Sequence, residues 1–330
     1  MKTKNILAVC VIAVALSALS CDDAVNPKTD FAAHPILYGM LARHTQYQHG
    51  SQSVVIERLY DLEGLDPNTN TKDPTVSGAV VVLHSRFDHD TLREGKRSNI
   101  NRYPGDQYYY YTNNYQMYPG DTVTITALLP GGERLQGSTM IPPNRPVEIV
   151  PPYAAGVTTL VNRFIYGDSW LLNWSGRNTE EHLFAPSMRL VYSKIVGDIE
   201  MAATEPVPLK YIQTAQGNTP VFPRVTYDTT ATFDFDAMDA TMAKISEGDS
   251  SKQRYKVLYF QFRLVEYDLH ASRYYSSING ALDEFSIRID ETTYSNVSGG
   301  IGVVGAAVTN EFTFPIHALY ARHFGYRSNQ

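Results

Sequence analysis

Several stretches of this chain place reactive or ligand-binding residue types close together, and each implies a definite chemistry. Asp88-His89-Asp90, with His84 nearby, offers carboxylate and imidazole donors. A bound zinc needs about three or four such donors converging, whereas a polar loop only solvates them, so no metal site is expected there. Glu180-Glu181-His182 reads the same way. Gly300-Ile301-Gly302-Val303-Val304-Gly305 spells the dinucleotide fingerprint, which works only where a strand hands the glycines to a helix N-terminus inside a parallel βαβ unit. The residues that follow read as one more strand, so glycine bulges or a close backbone approach are expected instead. Asp234 and Asp236 would serve as a glycosidase pair on paper, but a chain with 34 acidic residues offers many such pairs. There is no His-Glu-x-x-His, Gly-x-Ser-x-Gly or P-loop. The expectation is a protein that is not an enzyme and uses no cofactor.

The densest aromatic run is Tyr108, Tyr109, Tyr110, Tyr111, Tyr115 and Tyr118. Tyrosine buries area at low entropic cost and keeps a polar tip, so these residues are a candidate surface for a sugar, a peptide or a protein partner. Tyrosine is also a favoured strand residue, and that reading stays open.

Cys21 carries the clearest address. Lys2 and Lys4 form a positive start, residues 6–19 are apolar or small, and Ala18-Leu19-Ser20 ends on a small residue. The run is shorter than the roughly 20 apolar residues a membrane span needs. It reads as a lipoprotein signal peptide over residues 1–20, with cleavage before Cys21 and acylation of that cysteine. Two or more acyl chains would anchor the protein stably to a membrane. Cys10 leaves with the leader, so the mature chain keeps one cysteine and forms no disulfide. The Asn296-Val297-Ser298 sequon needs a eukaryotic secretory route, which such a leader argues against.

The whole chain has 330 residues and a net charge of −6, with no Lys/Arg cluster, which argues against nucleic acid as a partner. Residues 21–34 read as a flexible tether. Residues 35–143 show short β signals, among them 36–40, 53–60, 78–85, 122–129 and 134–140, with a long surface loop at 62–75. The apolar residues of 78–85 fall on both faces, predicting a strand covered on both sides. Val123, Ile125, Ala127 and Leu129 alternate with threonines, as a half-buried antiparallel strand does.

Prolines concentrate in 144–152, the expected linker. In 153–330, Trp170, Leu172 and Trp174 share a face, 188–194 is a further strand, and 255–267 is the strongest one, with Leu258, Phe260, Phe262 and Leu264 in line. Further strands are predicted at 285–289 and 312–316. The segment 204–223 holds four prolines and is expected to be an irregular connection. Asp236 is expected to cap a helix whose stripe is Met238, Met242 and Ile245, and Ala271, Tyr274, Tyr275 and Ile278 mark a second helix. The fold class is mainly β: two tandem immunoglobulin/fibronectin-like β-sandwiches, the second with two short helices.

Several stretches together resemble a known family. They are the lipidated leader, the 35–41 segment Pro-Ile-Leu-Tyr-Gly-Met-Leu, the 54–60 segment Val-Val-Ile-Glu-Arg-Leu-Tyr, the Tyr-Pro-Gly-Asp-Thr turn at 118–122, and the glycine-rich segment at 295–306. Within the last, the family-like positions are Ser295, Asn296, Gly299, Gly300, Gly302 and Gly305. The chain is similar to the Bacteroidota lipoproteins known as domain of unknown function four-two-four-nine. The resemblance implies an outer-membrane address, on the periplasmic or cell-surface face, and an accessory role beside TonB-dependent transporters. It supplies no catalytic residues. Two departures stand out: Val303-Val304, where an aromatic is frequent in the family, and the long 204–223 segment.

The expected function is a non-enzymatic lipoprotein that binds or delivers a ligand, an oligosaccharide or a peptide, for a TonB-dependent uptake system. The alternative is a structural or adhesive envelope lipoprotein mediating protein contacts.

Overall fold

The computed structural model describes residues 34–47, 49–58, 73–98, 105–150, 168–176, 181–215, 217–279 and 294–328. The leader, Cys21, nearly all of the tether, the 62–75 loop up to residue 72 and the 285–289 strand lie outside the described residues. The chain from His34 onward forms one compact unit.

In its first part the strands are β1 (Pro35–His44), β2 (His49–Arg58), β3 (Val80–His84), β4 (His89–Thr91), β5 (Arg93–Ser98), β6 (Asp106–Gln116), β7 (Thr122–Leu128) and β8 (Arg134–Met140). There follow β9 (Glu148–Val150), β10 (Ser169–Asn173), β11 (Phe184–Val196), β12 (Ile199–Val207), β13 (Lys210–Thr214), β14 (Gly217–Val221) and β15 (Thr230–Asp234). The chain then runs through α1 (Phe235–Lys244), β16 (Tyr255–Tyr267), α2 (Leu269–Asn279), β17 (Val297–Ser298), β18 (Ile301–Pro315), α3 (Ala318–His323) and β19 (Arg327–Ser328). The protein is mainly β, as the patterning predicts.

A nine-stranded sheet, in the order β12-β11-β16-β18-β1-β2-β6-β5 with β19 beside β16, is the frame. Two cores lie on it. The first is closed by the five-stranded sheet β17-β8-β7-β3-β4 and includes Leu37, Val54, Ile125 and Val304. The second is closed by β15-β10-β9 with α1 and α3 and includes Trp174, Phe233, Met238, Phe262 and Tyr320. β18 serves both: Val304, Ala306 and Val308 belong to the first core, and Phe314, of the same parity, to the second. The two layered halves therefore share a strand, which pairs in parallel with β1 and antiparallel with β16. The proline-rich segment 144–152 holds β9, which pairs with β10.

Local patterning explains much of this. In β7 Val123, Ile125 and Ala127 are buried and the threonines and Leu128 are not, the alternation of a strand with one covered face. In β16 Phe260, Phe262 and Leu264 are buried as predicted, but Leu258 is not: the pairing with β11 bulges between Val191 and Tyr192, which reverses the alternation so that Val257 is buried instead. On α1 the stripe Met238, Met242 and Ile245 packs into the second core.

Three expectations need correction. The N-cap of α1 is Asp234, two residues before Asp236, because Asp234 ends β15 in extended backbone and the chain turns helical directly after it. β3 is buried on one face only, and Val80 is 52% exposed, because nothing described covers the outer side of the five-stranded sheet. The 204–223 segment is not irregular: it contains the end of β12 and the whole β13–β14 hairpin. Its prolines are tolerated because β12 is an edge strand and a two-stranded ribbon is all edge, so a missing N–H leaves no ladder partner unsatisfied.

Candidate functional site

A sizeable concavity lies between α1 and the β13–β14 hairpin. It measures about 740 Å3, within the range of roughly 300–1,000 Å3 that small-molecule sites occupy. One wall is the helix: Ala237, Ala240 and Ala243 fall at intervals of three and keep it low, while Asp236 and Lys244 project beside them, with Glu247 just past the helix end. Asp234 closes the end at the helix N-cap. The opposite wall supplies Tyr211 from β13 and Asn218 from β14. Tyr211 is 36% exposed, so a phenol ring is open to a guest.

Lys244 is held by Glu205 of β12 at 2.7 Å, and that hydrogen bond raises its pKa. The groove therefore joins a ring face, an amide and carboxylates, a set that hydrogen-bonds polar ligands and stacks on flat ones. Asp234, Asp236 and Glu247 all come from α1 and its two ends. They do not face one another across the groove, as the two carboxylates flanking a glycosidic bond would. A second groove, about 550 Å3, lies where the same hairpin meets β15; Leu209, Val221, Phe222 and Pro223 make it more apolar.

The tyrosine run is divided between environments. Tyr110 and Tyr115 are fully buried in the first core; the Tyr110 hydroxyl donates to Val76 O at 2.8 Å and accepts from Ala79 N at 2.9 Å. Burial pushes the Tyr115 hydroxyl up to about 12. Tyr109 and Tyr111 stand on the other side of β6 with ring centroids 5.6 Å apart. Tyr109 lies over Gly95 of β5, where an added Cβ would meet the ring at 2.6 Å. Tyr108 is half-buried, its N–H donating to Thr75 Oγ1 at 2.9 Å. Tyr118, beyond the strand, packs on Phe87 at 4.7 Å. Of the six, Tyr109 and Tyr111 form an adjacent half-exposed pair; the others are not brought together with them.

The glycine-rich segment is built for close backbone approach. A Cβ on Gly299 would sit 2.0 Å from Arg134 O, on Gly300 2.4 Å from Pro35 O, and on Gly302 2.1 Å from Leu37 O. Gly305 faces Ala271 of α2, which seats that helix on the sheet. The Asn296 side chain behaves like a short piece of strand: Nδ2 donates to Val304 O at 2.8 Å and Ser138 O at 3.1 Å, and Oδ1 accepts from Val304 N at 2.9 Å. Ser295 Oγ accepts from Gly302 N at 3.1 Å. A strand follows these glycines, so the nucleotide-binding context is absent.

Sequence reasoning missed the buried polar cluster between the two cores. Glu266 of β16, wholly buried, accepts from Arg145 Nε at 2.7 Å and Arg145 Nη2 at 2.8 Å and lies 2.8 Å from His182 Nδ1. Gly176 leaves room for the guanidinium, since a Cβ there would fall 2.2 Å from Arg145 Nη1. Two residues on, Asp268 caps α2, accepting from the N–H groups of His270 and Ala271, and also from Ala306 N and Thr139 Oγ1. The signal was present: Glu266 falls at the core parity of Phe260, Phe262 and Leu264, where an acid must find a partner. Among the described residues no group of His, Cys, Asp or Glu side chains is arranged to hold a metal ion, and the His84 and His89 rings meet edge to face with centroids 5.7 Å apart.

No family model matches this sequence, and no curated protein does. Among solved structures, one similar chain is the full ectodomain (Ig1-Ig3) of mouse nectin-like molecule 4, at 9% identity and a TM-score of 0.19. The match covers 86% of this chain and 64% of that one, so this chain spans less than two thirds of its length. So distant a likeness carries no functional inference.

Proposed function

We propose that this protein is a lipid-anchored, non-enzymatic binding protein of the bacterial outer membrane, an accessory of a TonB-dependent uptake system. In this reading it takes its ligand into the groove between α1 and the β13–β14 hairpin. The observation that carries the reading is the groove itself, with Tyr211 and Asn218 opposite a low alanine wall edged by Asp234, Asp236 and Glu247. An open, polar, ring-bearing groove of this size suits a short oligosaccharide or peptide. The one-sided placement of the carboxylates favours binding over hydrolysis. The address rests on the Leu19-Ser20-Cys21 segment and on the family resemblance.

One observation favours the alternative, an adhesive or structural lipoprotein. At the β11–β12 turn Val196, Ile199 and Met201 are more than half exposed, an apolar tip that would suit a protein contact. Purification of the tagged protein from native envelopes in mild detergent separates the two. Near-equal recovery of a TonB-dependent transporter is the expected result. Recovery of the protein alone would overturn the accessory role.

A further inference from the structure

A smaller pocket, about 260 Å3, lies at the end of β1 and the start of β2, away from the groove. It is lined by Arg43, His44, Tyr47, His49 and Arg263, closed by the backbone of Gly50 and by Thr309. On a chain of net charge −6, two guanidiniums and two imidazoles around one small concavity form a local reversal of sign.

The partners of these side chains are uneven. Arg43 is half-buried and held by neutral acceptors only: its Nε donates to Met117 O at 3.1 Å and its Nη1 to Asn144 Oδ1 at 2.6 Å. Burial lowers its pKa, so the charge is held at a cost in desolvation. Among the described residues no carboxylate forms a salt bridge with Arg43 or Arg263. The nearby acid, Glu311, is engaged by His44 Nε2 at 3.4 Å and by Gln261 Nε2 at 3.2 Å. The two bonds of Arg43 fix the plane of its guanidinium and leave Nη2 without a hydrogen-bond partner among the described residues. A held, desolvated, uncompensated guanidinium beside an exposed one is the arrangement that receives a carboxylate through charge-assisted hydrogen bonds. Tyr47, 63% exposed and 5.0 Å from the His44 ring, adds a flat face for whatever bears the carboxylate.

We infer that this pocket is a second binding site, selective for the carboxylate of one small unit: the C-terminal residue of a peptide or a uronic-acid sugar. The volume admits one such unit and not a longer chain, so it would hold the acidic end of a ligand and leave the remainder outside.

The test is calorimetric titration of the full-length lipoprotein in detergent with N-acetylglycylglycine and with glucuronate, each against its neutral counterpart, N-acetylglycylglycinamide and glucose. Carboxylate binding without amide or glucose binding is expected, and the tighter of the two acids identifies the source. Arg263→Gln, at an exposed position that leaves the fold intact, should weaken the preferred acid about tenfold, as loss of one charge-assisted hydrogen bond does. Arg43→Gln should weaken it at least as much, with circular dichroism confirming the fold. Failure of both acids to bind, equal binding of the neutral counterparts, or affinity unchanged in Arg263→Gln would overturn the assignment.

Discussion

Replacing Glu266 by glutamine keeps the shape of a wholly buried side chain and removes its charge. Arg145 then stays in place, its side chain 6% exposed, without the carboxylate that met it at 2.7 and 2.8 Å. Orphaning one member of a buried ion pair costs about 3–5 kcal/mol. With a urea slope of about 3 kcal/mol per M, the midpoint should fall by roughly 1–1.7 M. The double variant Arg145→Met, Glu266→Met removes both charges, and the pair's own desolvation cost goes with them. It should therefore lose less stability than Glu266→Gln alone. Equilibrium urea unfolding followed by tryptophan fluorescence reads both, since Trp174 lies in the adjoining core. A loss below about 1 kcal/mol in the single variant, or a double variant as unstable as the two singles added, would refute the reasoning.

Gly302→Ala should destabilise by at least about 2 kcal/mol, because the residue has φ +124 and its Cβ would strike Leu37 O; thermal unfolding checks it. Asn296→Ala strips three hydrogen bonds from the β17–β18 turn, for an expected loss of about 2–4 kcal/mol by the same assay. The Tyr38 and Tyr115 hydroxyls are raised to about 12, chiefly by burial. Their folded values lie above the unfolded value, so the stability they contribute is full below about pH 10 and is lost as pH rises through 12. Ultraviolet titration should show these tyrosines ionising late, and together with unfolding. Cys21→Ser should release the protein from membranes and abolish palmitate labelling, as read by fractionation and radiolabel.

Elements with a single dominant period were legible in the sequence. β7, β10 and residues 260–264 of β16 bury apolar residues at alternate positions, and the Met238, Met242, Ile245 stripe packs as a helix face does. The glycine-rich turn was legible in kind, since glycines leading into a strand leave close approach as the physical use. What stayed hidden depends on long-range pairing. Nothing local states that β18 joins β1 on one side and β16 on the other, so a shared frame reads from sequence as two separate sandwiches. The groove was hidden for a related reason. Four prolines argued against order in 204–223, yet an edge hairpin tolerates them, and that hairpin supplies Tyr211 and Asn218. Asp234 and Asp236 were visible only as two acids among many until α1 placed them at the groove's edge.

The groove is the centre of the functional account, and blocking it is the direct test. Ala243 lies on the exposed side of α1 within the groove wall, so Ala243→Trp fills the space with little effect on the cores. Titration of the purified protein with defined panels of neutral oligosaccharides and peptides should find a binder for the native protein, weakened at least about tenfold by the tryptophan. A binder whose affinity is unchanged in Ala243→Trp, or the absence of any binder in either panel, would contradict the account.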